Sequence, residues 1–264
     1  MAITQRFLNF DQYYKATSGD KIIVNDLKAM TKEDKDNVNN MLMTVYENAD
    51  AISTKPTCDC GNIVGQYQVG KLCPSCGTKC EEPYSKVKPI VWLKVIDPNI
   101  KFINPTFWLM MADIISSATP VDYFRYLCDV KYNPPVELPK QVLSILNMLG
   151  GVRNYKNTID NIENILLHLI NLPTYQDREK NKKVRQLLQM YREHKEDIFS
   201  NYIPIISKRL FVVEKTTKGQ FINLISANII NAVYSWIDIC NKDVVTEKRL
   251  SSVMATVMSN LADL

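Results

Sequence analysis

The sequence predicts a mainly α protein with small β elements, and three observations carry that prediction. Only eight glycines occur in 264 residues, while Leu, Ile, Asn and Lys abound, a balance that favours helices over a sheet-rich fold. Two apolar stripes at helical spacing fill the C-terminal part: Ile222, Ile225, Ile229, Val233, Trp236 and Ile237, then Leu250, Val253, Met254, Val257, Met258 and Leu261. A β-branched and aromatic run over 86–95 reads instead as a strand.

In chain order, residues 1–57 open with an aromatic, polar segment. Thr31, Lys32, Glu33 and Asp34 then start a helix that continues through Val38, Met41, Leu42 and Val45. After the strand at 86–95, a second extended stretch is expected at 100–103, with Pro98 and Pro105 bracketing it. An apolar helix follows over 106–117. Thr119, Pro120, Val121 and Asp122 form an N-cap with proline at the first helical position, opening a helix through Tyr126. Pro134, Pro135 and Pro139 break the chain, and helices are expected over 139–149, 156–171 and 176–198, joined by Gly150-Gly151 and Leu172-Pro173. In the last of these the charges of 177–183 give way to Val184, Leu187, Leu188 and Tyr191, a solvated face over a core. An extended segment starts at Ile203 and Pro204 and runs to a loop at Thr216, Thr217, Lys218 and Gly219. The two final stripes form an antiparallel helical hairpin of coiled-coil type that turns over 241–244.

Residues 58–88 carry the most specific signal. Cys58-Asp59-Cys60 is followed after twelve residues by Cys73-Pro74-Ser75-Cys76. Two close cysteine pairs, each on its own tight turn, bring four sulfurs round one tetrahedral metal, so the spacing predicts one structural zinc ion held by Cys58, Cys60, Cys73 and Cys76. Gly61 and Gly77 follow the pairs and supply the positive φ such turns need. Disulfides or free buried thiols are the alternatives. Cys80 lies four residues after Cys76 and competes as a ligand, but two plus two is already complete without it. Cys128 and Cys240 sit among apolar neighbours and read as buried thiols, and His168 and His194 have no metal-like spacing to any partner. Seven cysteines without a signal peptide point to a reducing compartment. A net charge of +4 is too mild to prove nucleic-acid binding, and no stretch approaches the ~20 apolar residues of a membrane span.

The order of these parts resembles the amino-terminal part of the β′ subunit of multisubunit DNA-directed RNA polymerase, most closely a split β′ of a giant bacteriophage. Bacterial β′ carries the same Cys-x-Cys-Gly, twelve residues, Cys-x-x-Cys-Gly pattern, with the glycine that stands here as Gly70. Where the family reads Gly-His-Ile-Glu-Leu-Ala-x-Pro, this chain has Pro98, Asn99, Ile100, Lys101, Phe102, Ile103, Asn104 and Pro105, keeping the isoleucine, an apolar residue and the proline. Residues 182–188 look like the basic helix before the family's lid. Ile203-Pro204-Ile205-Ile206 with Leu210 resembles its Leu-Pro-Val-Leu-Pro-Pro-Asp-Leu, and Gly219-Gln220-Phe221 its Gly-Gly-Arg-Phe. Glu247-Lys248-Arg249-Leu250 resembles the Glu-Lys-Arg-Met of the returning clamp helix. The matches are collinear over 58–264, whereas 1–57, the place of the family's zipper region, match poorly. The Asn-Ala-Asp-Phe-Asp-Gly-Asp motif that holds the catalytic magnesium does not occur.

The resemblance implies an N-terminal segment (1–57), a zinc ribbon (58–88), a helical clamp core (89–202), an extended segment with a lid-like loop (203–221) and a clamp-helix hairpin (222–264). It implies a non-catalytic clamp subunit or fragment, a natural piece of a split β′ or a truncated polypeptide, that helps hold DNA and the RNA–DNA hybrid. Its partners would be the other polymerase subunits, which bind Mg2+, together with a promoter-specificity factor, in the cytoplasm of an infected bacterial host and away from membranes. Lys215, Lys218 and Gln220 of the lid-like loop would lie closest to nucleic acid. The arm 221–240 has no lysine or arginine, so ordinary σ docking is not expected, and a phage-specific factor would bind an apolar surface using Tyr234 or Trp236. The segment 62–69 is uncharged, so it is expected to pack on protein or stack Tyr67 rather than touch phosphates. Two other classes remain: a stand-alone zinc-ribbon adaptor binding protein or single-stranded nucleic acid, and a thiol redox switch.

Overall fold

The computed structural model describes residues 7–17, 21–43, 56–81, 91–116, 121–134, 137–205, 213–215, 221–223, 227–242 and 244–262. Helices dominate and the sheets are small, as the composition predicts.

The described residues of the N-terminal part are tied to distant segments of the chain. Helix α1 (Phe10–Ala16) starts where Asn9 accepts the Gln12 amide at 2.9 Å. Its Asp11 carboxylate accepts the backbone N–H groups of Asn201 (2.8 Å) and Tyr202 (3.0 Å), and Tyr14 stacks on Tyr202 at 3.9 Å between centroids. Strand β1 (Ile22–Ile23) then pairs in parallel with β2 (Val91–Lys94), whose other edge takes β5 (Tyr202–Pro204) antiparallel, with Trp92 opposite Pro204. This sheet draws on three of the five expected segments: 1–57, 89–202 and 203–221. Helix α2 (Lys32–Met43) begins at the expected residues, with Thr31 and Asp34 exchanging side-chain and backbone hydrogen bonds in a capping box; those bonds, with Thr31 first, hold the Asp34 carboxyl below its ordinary pKa.

Strand β3 (Phe102–Ile103) pairs with β4 (Phe199–Ser200), and Asn104 caps helix α3 (Pro105–Ser116), which opens on proline and buries Phe107, Trp108, Met111 and Ile115. Helix α4 (Tyr123–Cys128) corrects an expected cap. Asp122, not Thr119, ends the turn: its carboxylate accepts the Arg125 amide (2.8 Å), Trp108 Nε1 (3.1 Å) and Ser259 Oγ (3.0 Å). One buried-side acceptor thus satisfies three donors from three elements, which places the helix start there. Helix α5 (Lys140–Met148) ends in a Schellman turn, with Gly150 and Gly151 at φ 72° and 75° and the Gly151 amide on the Leu146 carbonyl (2.8 Å).

The helix expected over 156–171 is two, α6 (Tyr155–Asp160) and α7 (Ile162–Asn171). Asn161 divides them because its amide donates to the Asn157 carbonyl (2.9 Å) and side chain, a local alternative that bends the backbone to ψ 14°. Helix α8 (Arg178–Ile198), capped by Asp177, buries the expected Val184, Leu187, Leu188 and Tyr191, and it departs from helical geometry at His194 just before β4. His168 accepts or donates one hydrogen bond to Ser144 (2.6 Å), tying α7 to α5.

Strands β6 (Val213–Lys215) and β7 (Phe221–Asn223) form an antiparallel hairpin around 216–220. Ile222 therefore belongs to a strand and not to the first helical stripe, and Ile225 lies outside the described residues. Helices α9 (Ala227–Cys240) and α10 (Glu247–Ala262) pack on each other, and Arg249 pairs with Asp238 across their connection. They are not a detached hairpin. Helix α10 also packs on α3, α4 and α6, and buries Ser251, Ser252, Ala255 and Ser259 besides its apolar stripe. Among the described residues no helix is long and apolar enough to cross a membrane.

Candidate metal centre

Residues 56–81 fold as two short hairpins pinned by isolated bridges, Thr57 to Val64 and to Glu81, and Leu72 to Lys79. Each cysteine pair sits on a turn closed by backbone hydrogen bonds. Gly61 donates to the Cys58 carbonyl (3.1 Å) and Gly77 to the Cys73 carbonyl (2.9 Å). Both glycines have positive φ, 74° and 72°, as their places predict. An added Cβ would meet nothing within 4 Å at either, so the conformation and not the space calls for glycine.

These turns bring together the Sγ atoms of Cys58, Cys60, Cys73 and Cys76, all within 4.8 Å of one another. Cys58 and Cys60 sulfurs lie 3.5 Å apart, and Cys60 and Cys73 sulfurs 3.6 Å. A disulfide requires about 2.0 Å. The edge of a tetrahedron with metal–sulfur bonds of about 2.3 Å is roughly 3.8 Å, close to what these pairs make. The four cysteines can therefore hold a metal ion such as zinc. A four-sulfur set would leave a tetrahedral metal no open coordination position, the arrangement of structural rather than catalytic sites.

The electrostatics agree with that use. Cys76 is drawn down to about 6, first by the Thr78 hydroxyl, 3.0 Å from its sulfur, and then by the Thr78 amide. Cys58 is lowered by the Ile63 N–H, which points at its sulfur from 3.4 Å. At Cys60 the Asn62 amide works towards the thiolate, but Cys76, desolvation and the other sulfurs outweigh it and push the thiol up to about 12. Four thiols this close cannot all ionise without a cation between them. Thr78 is the residue sequence reasoning missed. Besides facing Cys76, its hydroxyl accepts the Asp59 amide at 3.1 Å and so links the two turns.

Cys80 is fully buried and stands outside the quartet, its sulfur 3.9 Å from the Ile63 carbonyl. Cys128 is buried in the helical body and Cys240 half-buried. Tyr67, on a 3-10 turn over Gln66–Gln68, is 94% exposed, and the side chains of Val64, Val69 and Leu72 are exposed too, so among the described residues Tyr67 stacks on no other ring.

The other predicted site residues fare differently. Lys215 ends β6 opposite Phe221, and Lys218 and Gln220 lie outside the described residues. Trp236 corrects the expected docking surface. It is 0% exposed, its Nε1 donates to Asn25 Oδ1 (3.1 Å), and its ring lies 5.2 Å from that of Phe102. An indole that α2's preceding turn, β3 and α9 enclose is core. Tyr234 is half-buried with its hydroxyl 2.8 Å from Asn39 Oδ1. No protein-family model and no curated protein matches the chain.

Proposed function

We propose that this chain is a non-catalytic, zinc-stabilised clamp part of a multisubunit DNA-dependent RNA polymerase, similar to the amino-terminal portion of β′. The observation that carries the reading is collinearity: a converged cysteine quartet, a helical body, a β-hairpin around 216–220, and a packed helix pair follow one another in the order of the family's ribbon, clamp core, lid and clamp helices. The ribbon's metal is zinc in this reading, because a four-thiolate tetrahedral set suits zinc and calls for no redox change. Lys215, Lys218 and Gln220 of the lid-like segment meet nucleic acid in this reading, and Mg2+ and the bond-making aspartates belong to partner subunits. A promoter-specificity factor docks on an exposed surface rather than on Trp236.

A tagged copy of the chain, expressed in its native setting and purified with its partners, tests this by mass spectrometry. The expected result is co-purification with large subunits bearing the Asn-Ala-Asp-Phe-Asp-Gly-Asp motif. A stable monomer without them sinks the reading. It would favour the second one, a stand-alone zinc-ribbon adaptor, which the exposed apolar side chains of Val64, Tyr67, Val69 and Leu72 support.

A further inference from the structure

We propose that a groove between α7, the 173–175 turn and the first half of α8 binds the phosphodiester backbone of nucleic acid through Arg178, Lys182 and Arg185. The groove has a volume of about 700 Å³ and is lined by these three cations together with polar side chains that include Asn171, Gln186 and Gln189. The cations recur at i, i+4 and i+7, so they stand on one face of α8, strung along roughly 10 Å of helix axis. All three are exposed, and none makes an ion pair among the described residues. Arg192, two turns further on, does pair, with Glu163.

Charge is concentrated here. Residues 178–185 hold five cations and one anion, a net +4 that equals the net charge of the whole chain. The first turns of a helix favour negative side chains, so this placement works against helix stability. Helix formation alone does not account for it, whereas an anionic ligand does. The first-turn amides of Glu179 and Lys180 are already taken by the Asp177 carboxylate, so side chains and not the helix end hold the ligand.

Arg185 is also held in place. Its Nε donates to Asn181 Oδ1 (2.6 Å), and Asn181 in turn donates to the carbonyls of Tyr175 (3.0 Å) and Ile170 (3.3 Å). That anchoring fixes the guanidinium to the α7–α8 turn and leaves its terminal nitrogens for a phosphate. A row of cations suits a repeating polyanion better than a single small anion. No aromatic side chain lines the groove, so it offers no stacking platform, and the binding is independent of base sequence.

The inference does not rest on the polymerase reading, because it is measured on the isolated full chain loaded with zinc. The probe is a labelled single-stranded oligonucleotide of about 20 nucleotides and mixed sequence, followed by fluorescence anisotropy between about 50 and 200 mM salt. The triple variant Arg178→Gln, Lys182→Gln, Arg185→Gln is expected to weaken binding on the order of 10- to 100-fold at the low-salt end and to reduce the salt slope by about 2. A control triple, Lys28→Gln, Lys131→Gln, Lys140→Gln, removes the same charge from exposed positions elsewhere and should stay within about threefold of the unaltered chain. Circular dichroism checks that both variants fold. Equal losses in the two triples, an unchanged groove triple, an unaltered chain that does not bind, or a loss seen only with phosphatidylserine vesicles would each overturn the proposal.

Discussion

The cysteine module of 56–81 and the helical body solve the same problem by different means. Ordering a residue costs about 1–2 kcal/mol of backbone entropy wherever it lies. The body offsets that by burial: Trp92, Trp108 and Trp236 are all almost inaccessible, and its core runs continuously from Val24 through α3, α4, α7 and α10. The module has no such means. Among its described residues only Pro56, Cys58, Cys73 and Cys80 are buried, and none of its side chains joins the hydrophobic core. Its apolar residues Val64, Tyr67, Val69 and Leu72 face outwards. A segment can thus be well formed without a core when four cysteine sulfurs converge on one point, and such a segment leaves its apolar side chains free for other contacts.

Metal removal is the largest test of that contrast. Structural zinc in small modules contributes about 10–16 kcal/mol of apparent binding free energy at neutral pH. A strong chelator should therefore collapse the amide NMR dispersion of 56–81 while leaving the far-ultraviolet helical signal of the body almost intact, since the module's helical content is one 3-10 turn. If the helical signal falls together with the metal, the two regions are a single cooperative unit.

Breaking the body should do the reverse. Trp236→Ala removes an indole that fills the space between Phe102 and Asn25, and a buried tryptophan to alanine change costs about 3–5 kcal/mol. Urea unfolding followed by circular dichroism should show that loss, with metal content per chain unchanged. Loss of metal in step with helix would contradict the division.

A smaller effect is a pH dependence confined to the module. Metal binding needs every ligand as thiolate, and Cys60, pushed up to about 12, keeps its proton through the whole neutral range. Binding must displace that proton, so affinity rises with pH, by about tenfold per unit from this one group. Cys76, drawn down to about 6, already lacks its proton at neutral pH and adds to the slope only in more acidic solution. Competition with a chromophoric chelator at two pH values measures the slope. A flat profile would mean that Cys60 is not a ligand.

The two regions were also unequally legible in the sequence. Ligand spacing is a local covalent property, so Cys58, Cys60, Cys73, Cys76, Gly61 and Gly77 can be placed without knowing the fold. The helices with clean stripes, α5 and α8, could be read almost to their ends for the same reason, because periodicity is local too. What could not be read depends on partners far away in the chain. α1 is held by Asp11 reaching Asn201 and Tyr202, β1 by a strand some seventy residues on, and the cap at Asp122 by Trp108 and Ser259. Trp236 misled because an apolar stripe has the same pattern whether it faces a partner protein or the chain's own core. Its Asn25 partner is 211 residues away.

Cys80 gives the finest division, within the module itself. It is as buried as any ligand and only four residues beyond Cys76, so spacing alone leaves it a rival. Its backbone explains its place: the Cys80 amide donates to the Lys71 carbonyl (2.9 Å), and its carbonyl accepts the Gly70 amide (2.8 Å), which zips the second hairpin. The side chain then fills the space beside Ile63 rather than reaching the other four sulfurs. Cys80→Ala should lower the module's stability by about 1 kcal/mol through lost burial and leave one metal per chain. Cys73→Ala should abolish stoichiometric binding. Metal content by mass spectrometry under native conditions separates the two, and a Cys80→Ala chain that loses its metal would move Cys80 into the ligand set and displace one of the four.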